Sequence, residues 1–165
     1  MNEIRKYEPV WVEEPLWPHD DYNGLSKLNK IAPVAAGENE FSINQFLSLL
    51  EKDALTYYQP DVAKIGGITS LMDLVALFKA YNVEIAFHSR PHNGWVSTLA
   101  SVNVAIGANT DAWIETPPFG IPLDRFTFEG KIYAEYIAPS GKGLSIVPKE
   151  PIKEAKTSKP LIFHS

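Results

Sequence analysis

Short β-branched or aromatic runs alternate along this chain with longer stretches whose apolar residues recur at helical spacing. VWVEE (10–14) reads as a strand, and the stretch over residues 25–31 reads as a short helix that Pro33 ends. VAAGE (34–38) is a second strand. Ser42 is a natural cap for a helix carrying Phe46, Leu47, Leu50 and Leu55 on one side. TYYQPDVAK (56–64) is a third strand in which Pro60 restricts pairing, and Gly66 and Gly67 make a turn after it. Thr69 or Ser70 then opens a helix with Leu71, Leu74, Val75 and Phe78 on one face. VEIAFHS (83–89) is the fourth strand, Gly94–Gly107 a helix of small residues and valine, and AWIET (112–116) the fifth strand. Such βα alternation with short loops implies parallel strands joined by right-handed crossovers.

After Thr116 the pattern changes to proline, glycine and short β-like runs without a long helix. Two segments are therefore expected, a βα portion over 1–116 and a tail over 117–165. A complete (β/α)8 barrel takes about 250 residues, and this chain has 165. The choice lies between an open doubly wound sheet and part of a barrel. The first strand is followed by EEPLWPHDD, with no glycine until Gly24, so a dinucleotide-binding G-x-G-x-x-G turn is missing. A phosphate-binding GxxxxGK[ST] loop is missing as well. The expected fold class is thus α/β, a partial TIM-type barrel of about five parallel strands with helices, followed by an irregular β-rich tail.

Charge narrows the chemistry. Lys and Arg number 15 and Asp and Glu 20, a net charge of −5. That balance disfavours a nucleic-acid or anionic-membrane partner and suits a site that holds a cation. There is no cysteine, which removes disulfides, thiolate metal sites and cysteine nucleophiles. No apolar stretch approaches the roughly 18 residues of a membrane span, and the first ten residues lack a signal-peptide core. A cytoplasmic location is expected.

The polar residues of the strands collect at their C-terminal ends: Glu13 and Glu14, Glu38, Asp61, His88 and Glu115. In a parallel α/β fold those ends form the active face. Carboxylates on neighbouring strand ends raise each other's pKa unless a cation lies between them. Glu13 and Glu38 therefore read as ligands of a hard divalent ion such as Mg²⁺. Glu14, next in the strand, should point to the other face. Asp61 beside His88 would orient the imidazole and raise its basicity, making His88 a general acid or base. Glu115 could hydrogen-bond an oxyanion if protonated or hold a substrate hydroxyl; a salt-bridge role is the plainer alternative. Lys64 lies within reach of the site but is equally a neighbour at a strand end. Asn39, Ser89, Arg90, His92 and Asn93 cluster just past the strand ends and could bind a polar substrate, although His92 also reads as an ordinary loop histidine. A retaining glycosidase would need two carboxyls flanking one bond and would leave Asp61 and His88 without a task.

In order along the chain, WVEEP, AAGENE, QPDVAKIGG, the histidine of IAFHS and WIETP resemble the motifs of the enolase superfamily, in particular its mandelate-racemase-like members, which include many acid-sugar dehydratases. The resemblance runs from about residue 10 to about 147. It implies a modified (β/α)8 barrel with a separate N-terminal capping domain and a C-terminal tail that returns to that cap. It further implies abstraction of the proton α to a carboxylate, with Mg²⁺ stabilising the enediolate. By motif, Glu13 and Glu38 would be two of three metal ligands, Asp61 and His88 the catalytic dyad, and Glu115 the glutamate that contacts substrate. The strands that carry the family's first ligand and its K-x-K acid/base residue, and the cap, have no counterpart in these residues. The expectation is the C-terminal part of an enzyme that dehydrates a sugar acid to a 2-keto-3-deoxy acid. It would act with an N-terminal half or as a homo-oligomer. A racemase or epimerase is the alternative within the family, and a non-catalytic oligomerising or binding module the alternative outside it. A self-sufficient lyase would have to borrow a ligand, with Asp111, Asp124 and Glu129 the nearest unassigned carboxylates.

Overall fold

A computed structural model describes residues 1–90, 94–116, 126–133 and 136–149. The chain divides into two compact units, Met1–Gly120 and Ile121–Ser165. The first unit runs α1 (Asn2–Arg5), β1 (Val12–Glu13), α2 (Tyr22–Asn29), β2 (Val34–Ala36), α3 (Ile43–Glu51), β3 (Tyr57–Tyr58), α4 (Ile68–Tyr81), β4 (Glu84–Phe87), α5 (Gly94–Gly107) and β5 (Trp113–Ile114). Its five strands form one parallel sheet in the order β1-β2-β3-β4-β5, with Val12 beside Val34, Ala35 beside Tyr57, Tyr57 beside Glu84 and Ala86 beside Trp113. This is the expected half-barrel. The sheet curls so far that Trp11, just before one edge strand, meets Trp113 of the other edge strand edge-on at 5.8 Å between ring centroids, and Tyr57 at 4.9 Å.

The helices cover the other face of the sheet. Phe46 of α3 and Tyr58 of β3 both contact Phe78 of α4, at 5.5 and 5.1 Å, and Leu25, Leu49, Leu71, Leu74, Val75 and Leu99 are buried around them. Burying an aliphatic or aromatic side chain of this size contributes roughly 1.5–3 kcal/mol, so this layer carries most of the unit's stability. Local signals fix the helix starts. Ser42 caps α3 by accepting from Gln45 N–H, and Gln45 Oε1 reaches back to Phe41 N–H at 2.8 Å, a capping box displaced by one residue. Asp21 caps α2 through Gly24 N–H at 2.9 Å, which moves that helix start to Tyr22, ahead of the expected residue 25. Helix α4 begins at Ile68, one residue before the expected Thr69, with Gly67 as an N-cap that makes no side-chain bond.

The strands are shorter than their sequence runs. β3 stops at Tyr58 because Pro60 has no N–H to donate, and beyond it only Asp61 makes a lone bridge, to His88. Gly37 follows β2 at φ +126°, and a Cβ there would lie 2.8 Å from the Phe46 ring. Only glycine lets the chain turn at this point and present Glu38 at the strand end.

In the second unit the described residues form two antiparallel ladders. β6 (Phe126–Phe128) pairs with β9 (Ile146–Pro148), and β7 (Gly130–Ile132) pairs with β8 (Ile137–Pro139). Among the described residues no helix is long and apolar enough to cross a membrane.

Candidate active site

The ends of β2, β3 and β5 bring three carboxylates, Glu38, Asp61 and Glu115, onto the imidazole of His88 at the end of β4. Asp61 is fully buried. Its Oδ1 accepts from Ala63 N–H at 2.7 Å, and its Oδ2 lies 2.9 Å from His88 Nδ1. The backbone closes the same pair, since His88 N–H donates to Pro60 O at 3.2 Å. On the other side of the ring, Nε2 lies 2.9 Å from Glu38 Oε2 and 3.7 Å from Glu115 Oε2. Lys64 Nζ stands 3.7 Å from Glu38 Oε1.

Burial alone would lower the pKa of His88. The hydrogen bonds to Asp61 and Glu38 and the charges of Glu38 and Glu115 outweigh it and raise the pKa from 6.5 to about 9. His88 is therefore an imidazolium at neutral pH and donates from both nitrogens. The hydrogen bond to His88 holds Glu38 below its usual pKa against the effect of burial, with the charges of His88, Lys64 and Arg90 adding to it. Burial pushes Asp61 up, but its hydrogen bonds to His88 and to Ala63 N–H prevail and hold it below the usual value.

A second chain of contacts surrounds this one. Lys64 Nζ donates to Asn39 Oδ1 at 2.9 Å, and Asn39 Nδ2 donates to Glu14 Oε1 at 2.8 Å. Glu14 was expected on the opposite face. It lies past the last residue of β1 at φ +40°, so strand alternation no longer sets its direction and it stays with the strand-end group. Glu13 stands apart. It is exposed, and its Oε2 accepts from Gln59 Nε2 at 2.8 Å and from Trp11 Nε1 at 3.2 Å. Among the described residues no hydrogen bond or ion pair joins Glu13 to Glu38. Ser89 is buried with its Oγ 2.7 Å from Thr98 Oγ1, while Arg90 is exposed. His92 and Asn93 lie outside the described residues.

Three contributors escaped the sequence reading. Gln59 is two residues before Asp61, and strand alternation could have placed it on the same face. Glu40 is buried and accepts from Tyr22 Oη at 2.8 Å, and burial raises its pKa. Nothing in the spacing singled out Tyr22 as its partner. Thr98 sits inside a helix of small residues and gave no signal.

The donor set suits a hard dication, because Mg²⁺ commonly takes one or two protein carboxylates and fills its remaining positions with water and substrate. Glu13 and Glu38 are the two carboxylates that the sequence pointed to for that role. Among the described residues no group of three or more His, Cys, Asp or Glu is placed to hold a metal. Beneath the strand ends a cavity of about 160 Å³ opens on the concave face, with Glu13, Gln59 and Glu115 on its polar side and Trp11, Phe87 and Trp113 among its apolar walls.

The enolase C-terminal domain-like family model matches residues 1–152. The D-gluconate dehydratase of Thermoproteus tenax is 36% identical over 85 residues, covering 50% of this chain and 17% of that protein. The D-galactonate dehydratase of Cronobacter sakazakii is 37% identical over 90 residues, covering 53% and 23%. Among solved structures, the 3,6-anhydro-D-galactonate cycloisomerase of Zobellia galactanivorans superposes with a TM-score of 0.76 at 27% identity, over 89% of this chain and 42% of that one. A mandelate racemase/muconate lactonizing enzyme from Sulfitobacter sp. gives 0.76 at 27% identity, over 89% and 37%. The chain thus spans about a fifth of those curated relatives and about two fifths of those solved structures. The half-barrel, its ordered strand-end residues and the match across nearly the whole sequence agree: this chain belongs to the enolase superfamily, in the family of mandelate racemase and muconate lactonizing enzyme.

Proposed function

We propose that the chain is the part of an acid-sugar dehydratase that carries the acid arm of the reaction. The observation behind this reading is the His88 imidazolium, fixed by Asp61 on one nitrogen and facing Glu38 and Glu115 with the other. Dehydration of a sugar acid removes the proton α to the carboxylate and expels the β-hydroxyl as water. A β-hydroxyl leaves readily only if it is protonated as it departs, and His88, whose pKa the bond to Asp61 raises, carries that proton as an imidazolium. Asp61 holds the ring in place and balances its charge. Glu115, with Oε2 beside Nε2, is positioned to accept from a substrate hydroxyl through Oε1. Lys64 and Arg90 supply positive charge next to Glu38, where a substrate carboxylate would lie, with Asn39 as a further polar contact. Glu13 and Glu38 are the carboxylates that would hold Mg²⁺, which when bound supplies Lewis-acid stabilisation of the enediolate charge. The group that takes the α-proton is not assigned among the described residues.

The test is a panel of sugar acids, gluconate and galactonate first, assayed with Mg²⁺ for 2-keto-3-deoxy acid. His88→Asn should lower turnover at least 10²-fold, the scale of one general acid. Full activity in that variant would remove His88 from the mechanism. Exchange of the α-proton with solvent deuterium, without loss of water, would replace dehydration with racemisation.

A further inference from the structure

We infer that Thr98 is a positioning residue that aims the Glu115 carboxylate at His88. This role rests on the proposed reaction for its purpose but not for its test. Thr98 is completely buried in α5, with its hydroxyl between two strand ends. Its Oγ1 lies 2.7 Å from Ser89 Oγ and donates to Glu115 O at 3.4 Å. A hydroxyl has one proton. If Thr98 gives its proton to Glu115 O, the 2.7 Å contact must be Ser89 Oγ–H donating to Thr98. Ser89 N–H in turn donates to Glu115 Oε2 at 2.8 Å.

The result is a closed cycle of three residues. Ser89, next to His88, grips the Glu115 carboxylate; Thr98 grips the Glu115 carbonyl; and Ser89 and Thr98 grip each other. The cycle ties the end of β4 to the end of β5 through one helix side chain. Its effect is directional. The side chain of Glu115 is 48% exposed and, left to itself, would sample several rotamers. With Oε2 fixed on Ser89 N–H it stands 3.7 Å from His88 Nε2, while Oε1 has no hydrogen bond among the described residues and remains open to a substrate. A preorganised acceptor of this kind avoids reorganisation during the reaction. Ser89 was expected to bind substrate, but its hydroxyl is engaged inside this cycle.

The test needs neither substrate nor metal, so an inactive enzyme and a wrong assignment are told apart. Amide NMR and hydrogen exchange are recorded on the full chain and on Thr98→Val, Thr98→Ser and Ser89→Ala. In Thr98→Val the Ser89 amide proton should lose its downfield, carboxylate-bonded position. Its exchange should quicken about tenfold or more relative to the amides of Ile85 and Phe87, as expected for loss of a charge-assisted bond. Thr98→Ser, which keeps the hydroxyl, should restore both signals. An unchanged Ser89 amide in Thr98→Val, or equal acceleration of all three amides, would overturn the assignment. If Thr98→Val does not fold, Ser89→Ala opens the same cycle at another link. The amide at position 89 should then show the same shift, and an unmoved amide would overturn the proposal.

Discussion

The His88 end of β4 and the Glu13 end of β1 carry the same kind of residue and have opposite surroundings. β4 lies between β3 and β5, and His88 meets a carboxylate from each of those strand ends and a third from the end of β2. β1 is an edge strand with β2 on one side only, and Glu13 is exposed, held by a neighbour two residues away and by Gln59. On the proposed reading the chemistry uses both ends. The comparison shows that a charged group in a parallel sheet becomes fixed, buried and shifted in pKa when strands flank it on both sides. At an edge it keeps the freedom of a surface residue.

The largest way to break this contrast is to remove the buried partner. Asp61→Ala leaves an imidazolium without its inner carboxylate, and losing one member of a buried ion pair costs about 3–5 kcal/mol. Urea unfolding should show that loss. A change below about 1 kcal/mol would mean that the pair is open to water.

Next in size is the dependence of stability on pH. The folded pKa of His88, about 9, lies above the ordinary 6.5. Its contribution is therefore complete below pH 6.5, declines as pH rises, and is gone above about 9. Asp61 and Glu38 are shifted downward from 3.8 and 4.5, so their contributions are present above those values and are lost on acidification. Stability should peak near pH 5–6.5. Urea midpoints measured across pH 5–10 should fall on the alkaline side, and His88→Gln should flatten that fall. An alkaline limb that stays steep in His88→Gln would assign the loss to another group.

A third site tests whether burial alone produces this behaviour. Glu40 is also buried, its one side-chain hydrogen bond among the described residues comes from the Tyr22 hydroxyl, and burial raises its pKa rather than lowering it. Tyr22→Phe should cost about 1–3 kcal/mol by stranding a buried acceptor. Thermal unfolding would detect it, and an unchanged midpoint would show that Glu40 reaches water.

How much of this was legible in the sequence follows from the same physics. The order of the strands, their parallel pairing, Ser42 as a cap and the Asp61–His88 pair all rest on local periodicity or on adjacency of consecutive strands, which one sequence displays. The true lengths of the strands did not show, because Pro60 and Gly37 act through backbone geometry rather than hydrophobicity. Glu14 was misplaced because a positive φ interrupts alternation. Thr98 was invisible, since a threonine among alanines and serines in a helix acquires its role only when two strand ends close around it. Glu38 was read as a metal ligand from its strand-end position and from the resemblance of its motif. That it also reaches His88 Nε2 depends on the curl of the sheet, which no spacing encodes.

The smallest expected effect is at Glu13, and it is the sharpest test of the contrast. Glu13→Gln removes a charge from an exposed edge strand and keeps the side chain's shape and its ability to accept from Trp11 and Gln59. Exposed ionic contacts contribute about 0–1 kcal/mol, so the unfolding free energy should move by no more than about 0.5 kcal/mol. Glu38→Gln should do more, because Glu38 is half-buried and bonded to His88 Nε2. The ratio of the two effects measures how far the flanking strands, rather than the residue type, decide the outcome. Calorimetric Mg²⁺ titration of the same pair of variants reads the other side of the comparison. If both carboxylates hold the ion, each variant weakens binding although only one of them destabilises the fold. If only Glu38→Gln weakens binding, Glu13 is not a ligand, and its pairing with Gln59 is its whole function in this chain.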